Sequence, residues 1–390
     1  MNKKIQAIAY LFSILTSCAF GQNSPSKINM GYFYQPGQEM RVDKMYGADN
    51  TIRFLYTYKN PKALVAYLVT WKDSEARNPS NSYMLKSLCN DQNCIVSINQ
   101  DSLIMGAYNA LVIQEPSAQA EYLVPILENN RYTSPVILVN EANDWVADRS
   151  VKQGGRYTIQ ALDNKAIIYG YYYKQGFEPA DPPVSIVNVP KARMQIDSTF
   201  SVISHTTIAF KSPGLYLFQT DTLSSQAFTI RVHDGNYPNL KYVNELVDPM
   251  VYISTAAEKR KIKSEMTKAQ FEKLWIDMAG TEVNAKAGIK YFYRGINNSN
   301  LLFGSYKEGW KTDKGLIYTI FGPPKRVFMN GFDEIWEYDK TTNHDALGFT
   351  FLYRPTIFSI YHSILRRNSA YSIPWNRTID RLRRGTPNYE

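Results

Sequence analysis

From residue 28 to about 235, β-branched and aromatic side chains gather in short runs of about five to eight residues. Gly, Pro, Asn and Asp separate the runs. The clearest are Thr51–Tyr58, Ala63–Trp71, Tyr108–Ile113, Val136–Asn140, Ala166–Tyr173, Leu215–Thr220 and Ala227–Val232. With no helical pattern between them, they predict antiparallel β-sandwiches. The segment Glu178-Pro179-Ala180-Asp181-Pro182-Pro183 cannot continue a central strand, because a proline has no amide to give to a ladder. It reads as a linker or long loop between two β-units, 28–178 and 184–236.

At Asp234-Gly235-Asn236-Tyr237-Pro238 turn residues crowd together, and beyond them the apolar period changes from 2 to 3.6. Thr255-Ala256-Ala257-Glu258 and Thr267-Lys268-Ala269-Gln270 each fit a capping box, in which the Thr hydroxyl and the side chain three residues on satisfy amides of the first helical turn. Phe271, Leu274, Trp275 and Met278 then share one helix face, and Gly280 stands where a left-handed cap belongs. A further helix carries the stripe Ile289, Tyr293, Ile296, Asn300 and Phe303. Residues 240–303 are therefore expected to form a helical connector, its aromatic stripes facing a core.

After the connector comes Tyr306-Lys307-Glu308-Gly309-Trp310-Lys311-Thr312-Asp313-Lys314-Gly315-Leu316-Ile317-Tyr318, running on to Phe321-Gly322-Pro323-Pro324. With Glu334-Ile335-Trp336-Glu337-Tyr338, Gly348-Phe349-Thr350-Phe351 and Trp375-Asn376-Arg377-Thr378-Ile379-Asp380-Arg381, this stretch resembles the GWxTD-domain family of exported envelope proteins of the Bacteroidota. A looser likeness reaches back to Gly214-Leu215-Tyr216. The resemblance implies a signal peptide, often a lipobox, and β-rich modules ahead of the named domain; it brings no catalytic set. The matched positions are Gly309, Trp310, Thr312, Asp313, Gly315, Tyr318, Gly322, Pro323, Trp336 and Tyr338.

Physically, Gly309 permits a turn, Trp310 is a large anchor, and Thr312 or Asp313 can cap a helix over 314–321 that Gly322-Pro323-Pro324 ends. The β-branched run 317–320 leaves a strand open as the alternative. Residues 326–329, 334–338 and 349–353 predict a three-stranded meander. A helix ending in Gly-x-Pro before such strands is similar in pattern to the small lipoprotein of the β-barrel assembly machinery, a likeness that does not transfer function. A terminal helix is expected from Pro374, with Trp375, Ile379 and Leu382 on one face and Gly385 as its stop. Arg383 and Arg384 then meet the negative end of the helix dipole. The alternative role for these cations is a partner-binding surface made of Tyr371, Trp375, Arg377, Arg381 and Arg384, with Arg366, Arg367 and Arg383 alongside.

The first residues change the picture of where the chain works. Lys3 and Lys4 precede the apolar stretch 5–16, about a dozen residues, which suits a signal peptide and is too short to span a bilayer. Leu15-Thr16-Ser17-Cys18 resembles a lipobox, with lipidation at Cys18, while Ala19-Phe20-Gly21 fits ordinary cleavage after 21. Of the 3 cysteines, Cys89 and Cys94 then remain, and in an oxidising compartment their C-x4-C spacing predicts a disulfide. The formal charge of +9 is concentrated in 251–390. In an exported protein that excess points to acidic or outer-membrane proteins, lipid head groups or anionic glycans, not nucleic acid.

Candidate catalytic chemistry is thin. His205, His233, His344 and His362 are scattered, outside any metal-binding or nucleophile pattern. His344 beside Asp345, and the pairs Glu334 with Glu337 and Asp313 with Asp333, are the nearest approaches to a dyad. The expectation is an α+β, multidomain, non-catalytic scaffold or accessory subunit without cofactor or metal. It would be lipid-anchored at the periplasmic face of the outer membrane, or free in the periplasm, within machinery that assembles or secretes outer-membrane proteins. A glycan-binding sandwich, drawing on 29 Tyr and 6 Trp, is the first alternative, and a hydrolase the second.

Overall fold

The structure, a computed structural model, describes residues 24–128, 130–146, 150–174, 176–185, 194–263, 265–341 and 344–386. Cys18 and both cleavage readings lie outside them. No described helix is long and apolar enough to cross a membrane. The chain is α+β, with its strands in antiparallel sheets apart from one short parallel pairing.

The first unit is a sandwich of eight strands: β1 (Arg41–Tyr46), β2 (Thr51–Thr57), β3 (Val65–Trp71), β4 (Asn81–Met84), β5 (Leu88–Cys89), β6 (Asn93–Asn99), β7 (Tyr108–Glu115) and β8 (Ala120–Ile126). Its sheets run β1-β2-β6-β5 and β4-β3-β7-β8. A disulfide joins Cys89 to Cys94, across the β5–β6 pair. The second unit holds β9 (Val136–Val139), β10 (Ser150–Lys152), β11 (Arg156–Ala161), β12 (Ile167–Tyr173), β13 (Ser198–Ile203), β14 (Thr206–Ala209), β15 (Gly214–Gln219) and β16 (Phe228–His233), in sheets β10-β16-β15-β12-β13 and β14-β11-β9.

This topology corrects the expected boundary. The strands β9 to β12 lie inside 28–178 but pair with strands beyond it, so the first unit ends near residue 126 and the second runs from Val136 to His233. Glu178–Pro183 is consequently a loop within the second unit, between β12 and β13, rather than a link between units.

The remainder is one body. Helices α1 (Val243–Val247), α2 (Ala256–Lys259), α3 (Lys268–Ala279), α4 (Glu282–Phe303), α5 (Asp313–Phe321) and α6 (Ser372–Arg383) surround the sheet β17 (Arg326–Asn330), β18 (Asp333–Tyr338), β19 (Leu347–Tyr353) and β20 (Ser363–Leu365). Trp275, Phe292, Ile296, Ile317, Trp336, Phe349 and Leu382 share a single core, so 240–303 is part of the C-terminal domain and not a separate connector. Residues 313–321 are helical, and the expected meander gains a fourth strand, β20. Both capping boxes form, and Gly280 takes φ 82° at the end of α3.

Alternation along two strands shows how the units dock. In β3, Ala66 and Leu68 enter the first sandwich core, while Tyr67, Val69 and Trp71 enter the core of the C-terminal domain. In β15, Tyr216 and Phe218 face the second sandwich core, while Leu215 and Leu217 pack with Tyr306 and Phe358 of the C-terminal domain. A strand buried on both faces reads as an unbroken apolar run, which is the pattern of Ala63–Trp71 and Leu215–Thr220. The disulfide closes a short loop, so replacing Cys89 by Ser together with Cys94 by Ala should cost about 2 kcal/mol in urea unfolding. Unchanged stability would contradict the pairing.

Candidate functional site

The segment from Tyr306 to Tyr318 lies where the C-terminal domain meets both sandwiches. A Cβ on Gly309 would stand 1.9 Å from the Ser299 carbonyl oxygen of α4, so only glycine allows this approach. The turn it makes places Trp310 in the core, 3 % exposed, with its amide donating to Asn300 Oδ1 at 3.2 Å. Tyr252 in turn donates to the Trp310 carbonyl at 3.1 Å. Thr312 is the N-cap of α5: its hydroxyl accepts from the Gly315 amide at 3.0 Å and donates to the Gly309 carbonyl at 2.7 Å. Gly315 packs against that same carbonyl, 1.9 Å from where its Cβ would be.

Asp313, at the first helical position, joins distant parts of the domain. Its carboxylate accepts from the Leu365 amide of β20 at 3.0 Å and from Arg367 at 2.5 Å. Arg367 donates also to the Asp181 carbonyl, and the Ala180 amide donates to the Lys311 carbonyl, so the loop 178–183 is strapped onto the motif. Lys314 pairs with Glu334 at 2.6 Å. Tyr34, ahead of the first sandwich, donates to Glu334 at 2.9 Å and accepts at its own carbonyl from Tyr318. Tyr338 donates to the Gly322 carbonyl at 2.9 Å. Trp336 is fully buried between Tyr34 and Phe351.

Toward the second sandwich, Glu308 bridges Arg231 of β16 at 2.6 Å and Lys311 at 3.2 Å. Burial works to raise the Glu308 carboxyl; Arg231 and Lys311 overcome it and hold it down at about 2. His233 stacks on Tyr237 with ring centres 3.7 Å apart. Burial first, then the Arg231 guanidinium, pushes the His233 imidazole down to about 3, with Lys311 adding and Glu308 opposing.

The other singled-out residues fall elsewhere. Trp375 is 4 % exposed and packs on Phe321, so it belongs to the core and not to a docking surface, in keeping with its place on the apolar face of α6. Tyr371 leans on Phe349 and donates to the Gly348 carbonyl. Arg383 pairs with Glu258 at 2.5 Å, and Arg381 donates to the Thr386 carbonyl. Arg366, Arg377 and Arg384 are exposed, Arg384 beside Asp380 at 3.2 Å.

None of the dyads assembles. His344 Nδ1 lies 2.7 Å from the backbone carbonyl of Asp345, whose carboxylate pairs with Lys340. Glu337 pairs with Arg326, and Asp333 accepts from the Tyr353 amide. His362 lies 3.2 Å from the Tyr306 hydroxyl, its imidazole pushed down by burial. Among the described residues no group of three or more His, Cys, Asp or Glu is placed to hold a metal. Sequence reasoning missed the Arg231–Glu308 and Asp313–Arg367 bridges, for which no local signal exists.

With this geometry in place, the family comparison is informative: residues 214–384 match the family model of the GWxTD domain. The chain thus carries a domain of the GWxTD family. The match opens at β15, whose outer face packs against the motif segment, so the last hairpin of the second sandwich is matched along with the domain it docks on. No curated protein matches the chain. Two solved structures are similar over half of it. One is a chimeric titin Z1Z2-Z1Z2 tandem functionalised with a GRGDS exogenous peptide from fibronectin, at 12 % identity and TM-score 0.15, covering 50 % of this chain and 97 % of that one. The other is a chimeric titin Z1Z2 functionalised with a KLER exogenous peptide from decorin, at 13 % identity and TM-score 0.15, with the same coverage. At that score neither likeness carries an argument.

Thr312→Ala should destabilise the chain by about 1 kcal/mol while Thr312→Ser leaves it near wild type. Asp313→Asn, which strands Arg367, should cost about 3 kcal/mol in urea unfolding. Equal effects of Thr312→Ser and Asp313→Asn would contradict these roles. A second expectation concerns acid. His233 and Glu308 both bind protons more readily in the unfolded chain, so their contribution is intact at neutral pH. It falls as pH drops from 6.5 toward 3 for His233 and from 4.5 toward 2 for Glu308. His233→Phe, which keeps the stack, should flatten the upper part of a plot of melting temperature against pH; an unaltered slope there would rule His233 out.

Proposed function

We propose that the chain is a non-catalytic scaffold or accessory subunit of the cell envelope, within machinery that assembles or secretes outer-membrane proteins. Acylation at Cys18 would tether it to the periplasmic face of the outer membrane. The observation that carries this reading is the inward engagement of the motif. Trp310, Thr312, Asp313 and Lys314 are held by the core, a helix cap and ion pairs within the C-terminal domain, while Glu308, Lys311 and Tyr318 of the same segment bond to Arg231, Ala180 and Tyr34 of the units ahead of it. A motif engaged in this way builds a fixed spatial relation between modules, which is what a scaffold supplies.

The surface offered to a partner is basic. Arg366, Arg377 and Arg384 are exposed at the C-terminal domain, and the chain's excess of positive charge lies in the same third of the sequence. Cations on such a surface favour acidic partners and speed their encounter. The exposed pair Arg384–Asp380 adds only about 0.3–0.5 kcal/mol to folding, so these positions are free to change.

Reversing Arg377 and Arg384 to Glu should abolish recovery of partner proteins by affinity purification from mildly solubilised membranes and leave the melting temperature unchanged. Recovery of the wild-type chain as a partnerless soluble monomer would contradict the proposal.

A further inference from the structure

Two adjoining chambers lie where the three units meet. The larger, about 170 Å³, is walled by β1 and the β8 end of the first sandwich and by the motif residues Thr312, Asp313 and Lys314. The smaller, about 90 Å³, lies among β1, β16 and the segment 356–361. Lys44, Ser305, Tyr306, Ile360 and Tyr361 line both. A single water occupies roughly 10–15 Å³ on this measure, so each chamber has room for much more than one.

Three buried donors on the chamber walls have no acceptor among the described residues: the Tyr353 hydroxyl in the larger, and Trp145 Nε1 and Arg231 Nε in the smaller. Arg231 is 8 % exposed, and its other nitrogens are engaged, one with Glu308 and one with the Tyr306 carbonyl. A buried donor left without an acceptor costs about 1–3 kcal/mol. Lysines stand on the same walls. The Lys44 ammonium, donating to the Pro125 carbonyl at 3.0 Å, is 5.8 Å from the centre of the Tyr353 ring, and Lys307 and Lys314 line the larger chamber. The carboxylates nearby are occupied: Asp313 by Arg367 and the Leu365 amide, Glu334 by Lys314 and Tyr34, and Asp43, on the wall of the smaller chamber, by Arg41.

We propose that these chambers form a binding site for a small oxyanion, a carboxylate or phosphate group whose oxygens accept from Tyr353 in the larger chamber or from Trp145 and Arg231 in the smaller. The site would couple ligand binding to docking of the units, since its walls come from all three. It goes beyond the scaffold role and stands or falls separately from it.

The test uses the mature full-length chain and Tyr353→Phe and Trp145→Phe, each of which removes a donor and keeps the ring's bulk. Melting temperature and calorimetric titration are followed against sodium phosphate and sodium succinate, with sodium chloride at matched ionic strength as control. The expected result is saturable stabilisation by phosphate or succinate beyond that of chloride, with affinity weakened tenfold or more in Tyr353→Phe or Trp145→Phe. Shifts that follow ionic strength alone, binding that both variants retain unweakened, or no binding would overturn the proposal and leave water as the occupant.

Discussion

The approach of Gly309 to the Ser299 carbonyl sets the rest of the C-terminal domain in place. Because no side chain separates the turn from α4, Trp310 reaches the core and Thr312 stands at the start of α5. Asp313 is then within reach of both β20 and Arg367. The glycines allow the close approaches of the turn, Thr312 caps α5, and Asp313 joins α5 to β20 and Arg367. A turn three residues long thus joins α4, α5 and β20.

Around that turn the two sandwiches are held by different means. The first is joined mainly by apolar burial of the outer face of its β4-β3-β7-β8 sheet, with Tyr34 adding polar links to Glu334 and Tyr318. The second combines an apolar patch, Leu215 and Leu217 on Tyr306 and Phe358, with the Arg231–Glu308 bridge. Apolar burial does not depend on protonation, whereas the bridge responds to acid. The two contacts therefore differ in what can loosen them, and the lined chambers lie between them.

Local features were legible in the sequence. The capping boxes at Thr255 and Thr267, the Gly280 cap, the helix after Thr312 and the Cys89–Cys94 pair each depend on residues a few positions apart, and short-range chemistry decides them. Boundaries between sandwiches were not, because strand pairing across long separations leaves no mark on periodicity: β12 is alike in pattern whether it joins strands before or after it. The spacing of Trp375 with Leu382 on α6 is compatible with a core or a surface role, and the structure buries it. The ion pairs of Asp313 and Glu308 connect residues 54 and 77 positions apart, beyond any spacing rule.

If the turn couples all three units, hydrogen exchange read by mass spectrometry on Gly315→Ala shows it most directly. The added methyl would meet the Gly309 carbonyl and displace the turn. Protection should fall together in α5, β20, the β15–β16 hairpin of the second sandwich and β3 of the first. Loss confined to residues 309–321, with the hairpin, β3 and β20 as protected as in the wild type, would contradict the claim.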